Sequence, residues 1–334
     1  MLQTILVTGA SQGMGKALAQ LLASRGANVI IVARTTKNLQ SALEDIRVRR
    51  LARQKTGCSP LLQASAVDAK MQRFHYISAD LTSSSEATRI LNESTSWNDG
   101  NPPDHVLCVA GASHPEYFLE VEPSLLKEQM DTNYFSAAYM AQASCKAWLS
   151  ETEKLPISKK TAEPRHLVFV SSLVALIPMV GYTPYSPAKI AVRHLSDTLA
   201  QELLLYEDRT PIRTHCVFAS TISSPGLDKE NETKPAITKK LEETDGSQTP
   251  EEIALETLKG LEKGYANFSP SGLLGTLMVT GSLGGSRRRG LGIVDTLVSW
   301  VVAIILPIVR KDFDSKVRAW GKANIGVSSK EPQA

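Results

Sequence analysis

The sequence predicts an α/β protein: a single doubly wound parallel sheet with helices on both faces, followed by a hydrophobic helical tail associated with a membrane. Three observations carry that expectation. Apolar, β-branched runs alternate with helical patterns from Thr4 to Phe218, a glycine-rich turn joins the first strand to the first helix, and an apolar stretch near the carboxyl end is bracketed by basic clusters. With 334 residues and 42% hydrophobic content the chain can bury a full core. Residues 1–265 are expected to form one nucleotide-binding domain, and 266–334 a membrane-anchoring or interfacial region. A net charge of +3 is too small to imply a nucleic-acid partner.

The first strand reads from Thr4 to Thr8 and breaks at Gly9. Gly9-Ala10-Ser11-Gln12-Gly13-Met14-Gly15 follows, then a helix over Lys16–Arg25 with Ala17, Leu18, Leu21 and Leu22 on its inner stripe. A turn of this kind brings the backbone close to a pyrophosphate, whose charge is met by the amides and dipole of the helix. This is the start of a Rossmann-type unit, with Gly9, Ser11, Gln12, Gly13 and Gly15 as candidate cofactor contacts. A second strand, Ala27–Ala33, ends at Arg34. An acidic residue there would accept hydrogen bonds from a ribose 2′-hydroxyl, whereas arginine suits a 2′-phosphate, so NADP(H) is the expected cofactor, held by Arg34 and Lys37.

Three further strands run over Phe74–Ser78 into Asp80-Leu81, Val106–Val109 into Ala110-Gly111, and His166–Val170 into Ser171-Ser172. Each ends in small or polar residues where a doubly wound sheet binds its ligand. Asp80 and Leu81 are expected near the adenine, unless Asp80 only caps a helix, and Ala110-Gly111 lets the backbone pass close to the cofactor. Next come Tyr185-Ser186-Pro187-Ala188-Lys189, thirteen residues after Ser172. If Tyr185 to about Leu205 is helical, Tyr185 and Lys189 share one face, and an ammonium beside a phenol draws its pKa down from about 10. A ketone being reduced needs such a proton donor. Ser171 and Ser172 point to opposite faces of a strand, and the spacing to Tyr185 favours Ser172.

In combination these motifs resemble the short-chain dehydrogenase/reductase family over roughly residues 3 to 226. Thr8-Gly9-x-x-x-Gly13-x-Gly15, Asp80, Ala110-Gly111, Asn133, Ser172, Tyr185 and Lys189 fall in the family's order. The resemblance implies that Tyr185 gives the proton to the carbonyl oxygen, that Ser172 hydrogen-bonds that oxygen, and that Lys189 lowers the tyrosine pKa and holds the nicotinamide ribose. It implies further that Asn133, on a helix over Leu125–Trp148, completes a proton relay through water. Two departures stand out. Cys108 occupies a position where the family commonly has asparagine, which removes a brace of the sheet. Pro225-Gly226 also comes late after the strand Thr214–Phe218, leaving Thr221 and Ile222 as the candidate contacts on the carboxamide side.

The charged stretch Leu227–Gln248 is expected to include a lid over the substrate or else a solvated loop. Arg47–Arg73 and Glu151–Pro164 read as irregular surface insertions. Cys58, Cys108, Cys145 and Cys216 show no redox or metal spacing, and the six histidines are scattered, so no metal site is expected. The sequons at Asn92, Asn231 and Asn267 are taken as coincidental in a reducing compartment. The first strand begins by Thr4, which leaves no room for a signal ahead of it.

Gly272–Leu283 is apolar, Arg287-Arg288-Arg289 follows, and Ile293–Val309 carries only Asp295 as a charge before Arg310-Lys311. Seventeen residues is the short limit for a span, so this segment crosses a membrane or lies along its surface. The soluble alternative is a helix buried between copies of a homo-oligomer. With a membrane tail, the resemblance implies a long-chain lipid ketone as substrate, at the endoplasmic reticulum membrane with the catalytic domain facing the cytosol. Steroid, retinoid and fatty-acyl carbonyls stay open, as does a non-catalytic nucleotide sensor, whose usual mark would be loss of Tyr185 or Lys189.

Overall fold

In the structure, a computed structural model, the residues described are 3–56, 72–153, 163–176, 179–243 and 246–281, with single helical positions between Trp300 and Lys322. Seven parallel strands form one sheet in the order β3-β2-β1-β4-β5-β6-β7. They are β1 (Thr4–Thr8), β2 (Asn28–Ala33), β3 (Phe74–Ser78), β4 (His105–Cys108), β5 (Arg165–Ser172), β6 (Ile212–Ala219) and β7 (Asn267–Phe268). Burial on both faces makes β1 and β2 near-continuous apolar runs, as parallel strands require. The strand order reverses direction between β1 and β4, which opens the crevice where a doubly wound sheet binds its ligand.

Helices cover both faces. On one lie α1 (Gly13–Ser24), α2 (Thr36–Thr56) and, later in the chain, Pro250–Glu262; their core includes Leu18, Leu39, Ile46, Ile253 and the inward residues of β1 and β2. On the other lie α3 (Ser84–Trp97), α4 (Pro123–Met130), α5 (Ser136–Glu153) and α6 (Ser186–Glu202), around Ile90, Met140, Trp148, Phe169, Val192 and Phe218. Thr249 and Glu252 close a reciprocal capping box on the helix that follows them.

Several expectations change in detail. Residues 47–56 continue α2 rather than forming a loop, because Leu39, Ala42, Leu43 and Ile46 make an apolar stripe strong enough to seed the helix ahead of its basic end. The rest of that expected insertion up to residue 71, and most of the one after Glu153, lie outside the described residues. The helix expected over Leu125–Trp148 is interrupted by a π turn at Asp131–Phe135. The stretch after Ser224 folds into α7 (Pro225–Thr233) and α8 (Ala236–Leu241), before α9 (Pro250–Glu262). Strand β7 and α10 (Gly272–Gly281) lie beyond residue 265, so the sheet itself continues past that boundary.

The brace that Cys108 does not supply comes from Thr8. Its hydroxyl donates to Leu107 O at 3.3 Å and accepts the amides of Val109 and Ala110 at 3.0 and 3.2 Å, tying β1 to the end of β4. Cys108 is buried instead, and burial pushes its thiol up to about 12.

No helix among the described residues is long and apolar enough to cross a membrane. Of the segment Ile293–Val309, only Trp300, Ile304, Pro307 and Ile308 are described; Arg287-Arg288-Arg289 lies outside the described residues. Trp300, Ile304 and Ile308 are helical and 65%, 72% and 68% exposed. Farther on, Arg318 pairs with Glu207 at 2.8 Å and returns the chain to the body.

Candidate active site

The glycine loop is built for close backbone approach. Gly9 has φ +65°, and a Cβ there would stand 2.7 Å from Ala110 Cα; one on Gly15 would stand 2.5 Å from Gly9 O. Gly13 also takes a positive φ, +55°. Gln12 caps α1 with its backbone alone and makes no side-chain capping bond, so the first amides of the helix face the crevice without an internal side-chain partner. Such a cradle fits the pyrophosphate of a dinucleotide. Arg34 and Lys37 are exposed at and just after the carboxyl end of β2. Arg34 adjoins Asp80, whose carboxylate accepts the amide and hydroxyl of Thr82 at 3.1 and 2.9 Å. Those bonds, helped by the Arg34 charge, hold Asp80 below the usual carboxylate range. The α3 cap is Ser83, so Asp80 makes an isolated turn rather than a helix cap.

Tyr185 is the cap residue of α6, with Lys189 one turn on; the Lys189 amide donates to Tyr185 O at 3.3 Å. The ammonium of Lys189 is buried, donates to Val170 O at 3.0 Å and lies 5.5 Å from the Tyr185 ring centre. Burial brings its pKa down to about 8. The Ser172 hydroxyl accepts the Val174 amide at 3.4 Å and is near enough to Tyr185 to lower the pKa of its phenol, whereas Ser171 Oγ points the other way and donates to Lys189 O at 2.8 Å. Strand alternation therefore gives the two serines separate partners. The expected fall in the Tyr185 pKa is corrected here: burial and the charge of Glu230 raise it, and the nearby Ser172 hydroxyl only partly offsets them. A phenol so placed is fully protonated at neutral pH, the form needed to give a proton.

Asn133 sits in the π turn, a common irregularity at functional sites. Its Oδ1 accepts the Ala112 amide at 3.1 Å, and its Nδ2 donates to Ala112 O and Gln129 O at 2.8 and 2.9 Å. A Cβ on Gly111 would meet Asn133 Oδ1 at 2.7 Å and Lys189 Nζ at 3.0 Å, so the Ala110-Gly111 turn, Asn133 and Lys189 occupy one corner. Leu81 is buried beneath the Asp80 turn. Thr221 and Ile222 are pinned at the end of β6: Gln248 N donates to Thr221 O at 3.0 Å, and Ile222 bridges to Gln248.

A group that the sequence did not single out adjoins Tyr185. The Tyr182 ring centre is 6.2 Å from that of Tyr185, and the Tyr182 hydroxyl lies 2.6 Å from both Glu230 and Glu242. Lys234 binds the same two carboxylates at 2.9 and 2.5 Å. Only the density of charge in Leu227–Gln248 hinted at it. On the segments next to Tyr182 and Glu242, Phe118, Leu119, Val180, Ile237 and Leu241 are all exposed, with Leu119 at 95%. Hydrogen bonds from Glu116 N to Gly181 O and from Thr238 Oγ1 to Val180 O, both 2.8 Å, join the three segments that carry them.

A glycine cradle, a serine, a tyrosine and a lysine at the carboxyl end of this sheet define a class of nucleotide-dependent oxidoreductase. The family model for short chain dehydrogenases matches residues 3–235, and the chain belongs to that family. Among curated relatives, a 3-ketodihydrosphingosine reductase of Aspergillus fumigatus is 42% identical across 98% of this chain and 87% of its own length. Others of that name, from Neurospora crassa and Cryptococcus neoformans, are 39% and 34% identical and cover 96% and 94% of the chain, which spans 83% and 84% of theirs. Solved structures share the fold. An alcohol dehydrogenase of Thermococcus sibiricus complexed with 5-hydroxy-NADP has a TM-score of 0.59 at 17% identity, covering 80% of this chain and 96% of its own. A short-chain dehydrogenase of Sphingobium yanoikuyae in complex with NADPH has 0.60 at 18%, covering 80% and 88%.

Proposed function

We propose that the chain reduces the 3-keto group of 3-ketosphinganine to the hydroxyl of sphinganine with NADPH, a step of sphingolipid synthesis. The observation that carries this reading is the extent of the likeness. The general family model stops at residue 235, whereas the three reductases described above match over 94–98% of the chain.

NADP(H) fits the residues present: Gly9, Ser11, Gln12, Gly13 and Gly15 would hold the pyrophosphate, Arg34 and Lys37 the 2′-phosphate, Asp80 and Leu81 the adenine side. Ala110, Gly111, Tyr185, Lys189, Thr221 and Ile222 would line the nicotinamide side. When bound, the cofactor supplies hydride to the carbonyl carbon. Ser172 hydrogen-bonds the carbonyl oxygen and holds it against Tyr185, whose hydroxyl delivers the proton as negative charge develops there. Lys189 then stabilises the tyrosinate left behind. Asn133 holds the Ala112 backbone and keeps the corner beside Lys189 in shape, from which water can restore the proton.

The apolar rim of Phe118, Leu119, Val180, Ile237 and Leu241 suits a substrate that keeps its hydrocarbon chain in lipid, since moving it into water costs about 0.8 kcal/mol per CH₂. The tail would lie along the same membrane, at the endoplasmic reticulum with the catalytic domain in the cytosol. The test is product formation by the purified protein with NADPH, measured by mass spectrometry for 3-ketosphinganine against steroid, retinoid and fatty-acyl carbonyls. Sphinganine is the expected product, and Tyr185→Phe should lower its rate by at least about a hundredfold. Preference for another carbonyl would replace the substrate; near-normal turnover by the phenylalanine variant would remove Tyr185 from the chemistry.

A further inference from the structure

Around Tyr182, next to Tyr185, two largely buried carboxylates face one ammonium. Glu230 and Glu242 share the single ammonium of Lys234, and no second cation pairs with either carboxylate among the described residues. Lys234 is 6% exposed, and the two carboxylate side chains 17% and 14%. Tyr182 has one hydroxyl proton for two carboxylates, each 2.6 Å away, so it satisfies only one of them at a time. One negative charge is thus left without a counter-charge in a site where isolated charges are costly. That surplus calls for a cation from outside.

Position gives the cation its identity. Tyr182 and Tyr185 stand 6.2 Å apart by ring centres, and the Glu230 charge is felt at the Tyr185 phenol. A ketone oxygen bound by Ser172 and Tyr185 brings the neighbouring carbon of the substrate to the same side. In 3-ketosphinganine that carbon carries an amino group, protonated at neutral pH. Helix α7 also starts against the glycine loop, where a Cβ on Gly13 would be 3.7 Å from Ser224 Cβ, and ends at Lys234, so Glu230 lies on the helix that links that loop to Tyr182.

We propose that Glu230, supported by Glu242 and Tyr182, is the residue that recognises the ammonium next to the ketone and so selects 2-amino ketones over plain long-chain ketones. The inference rests on the proposed reductase reading and adds a specificity determinant to it. Tyr182 holds the two carboxylates, Lys234 neutralises only one of them, and the substrate supplies the second positive charge.

The test compares 3-ketosphinganine, its N-acetyl derivative and the 1-hydroxy-3-ketone of equal length lacking the amine, all in one detergent with NADPH. The readout is the ratio of kcat/KM for the amino ketone to that for each uncharged analogue. The wild type is expected to favour the amino ketone at least about tenfold, the scale of a charge-assisted hydrogen bond. Glu230→Gln should lower that ratio about tenfold, whatever its absolute rate. Lys234→Gln should keep or raise the ratio, because it removes the internal competitor for the same carboxylates; a merely structural role would lower all three substrates together. Equal preference in the wild type, or an unchanged ratio in a folded Glu230→Gln, overturns the inference. If Glu230→Gln does not fold, Lys234→Gln decides, and a fall in its ratio overturns it. Failure of the wild type to reduce any of the three would instead remove the reductase reading itself.

Discussion

Arg34 leaves the sheet with its guanidinium in solvent and in no ion pair among the described residues, while its carbonyl accepts the Ser78 hydroxyl at 2.8 Å. The backbone is therefore fixed and the charge is free to meet a phosphate. Arginine pairs with phosphate through charge-assisted bonds worth about 1.5–3 kcal/mol each, or about ten- to a hundredfold in affinity. Arg34→Asp should cut kcat/KM for NADPH by about a hundredfold and raise that for NADH, because a carboxylate there accepts the 2′-hydroxyl and repels the phosphate. Steady-state kinetics with both nucleotides checks it, and an unchanged ratio would take Arg34 out of the 2′-phosphate site. The position of this residue at the end of β2 was legible in the sequence, because it follows a strand by a fixed offset. Ser172 was legible for a similar reason, since period-two alternation separates it from Ser171. Tyr182 and Glu230 were not, because their importance lies in sharing a buried contact 48 residues apart in the chain.

At the scale of elements, the strands could be read because apolar runs ending in small residues are spelled locally. The π turn around Asn133 could not, as nothing in Asp131–Phe135 distinguishes it from ordinary helix. Nor could the meeting of His105, His166 and His215 on β4, β5 and β6, which parallel register alone brings together. His166 Nδ1 and His215 Nε2 are 2.8 Å apart, His215 Nδ1 is 2.7 Å from Tyr265 O, and the His105 ring meets His166 edge-on. Burial holds His105 and His166 down at about 4 from an ordinary 6.5, and lowers His215 too. The unfolded chain takes up these protons as pH falls through about 6.5, while the folded chain refuses them until about 4. Stability should hold above pH 6.5 and be lost progressively down to pH 4, by up to about 1.4 kcal/mol per pH unit for each refused proton. His105→Phe removes one such proton and should flatten the slope by that amount. Urea midpoints at pH 7, 6 and 5 decide it, and parallel slopes for the variant and the wild type would show that His105 is not part of the acid response.

Among the described residues, exposed apolar side chains gather in two places that the core does not need. One is the mouth beside Tyr185; the other is the tail, where Trp300, Ile304 and Ile308, each helical and four residues apart, are exposed. Soluble monomers rarely leave such residues grouped in water. Arg318 binds Glu207 and Lys322 approaches Asp208, so the tail's far end is tied to the body rather than set apart from it. On the proposed reading this segment lies along a bilayer. Burying each of the three side chains in the interface is worth about 1.5–3 kcal/mol, so replacing all three by aspartate should weaken binding to vesicles of phosphatidylcholine with anionic lipid by at least about a hundredfold. Sedimentation with vesicles measures that loss, and turnover of a water-soluble short-chain ketone by the same variant should persist while turnover of vesicle-borne 3-ketosphinganine falls. If vesicle binding is unchanged and the variant instead shifts from a larger species to a monomer in light scattering, the three side chains face another copy of the chain, and the membrane contact must be sought at the mouth.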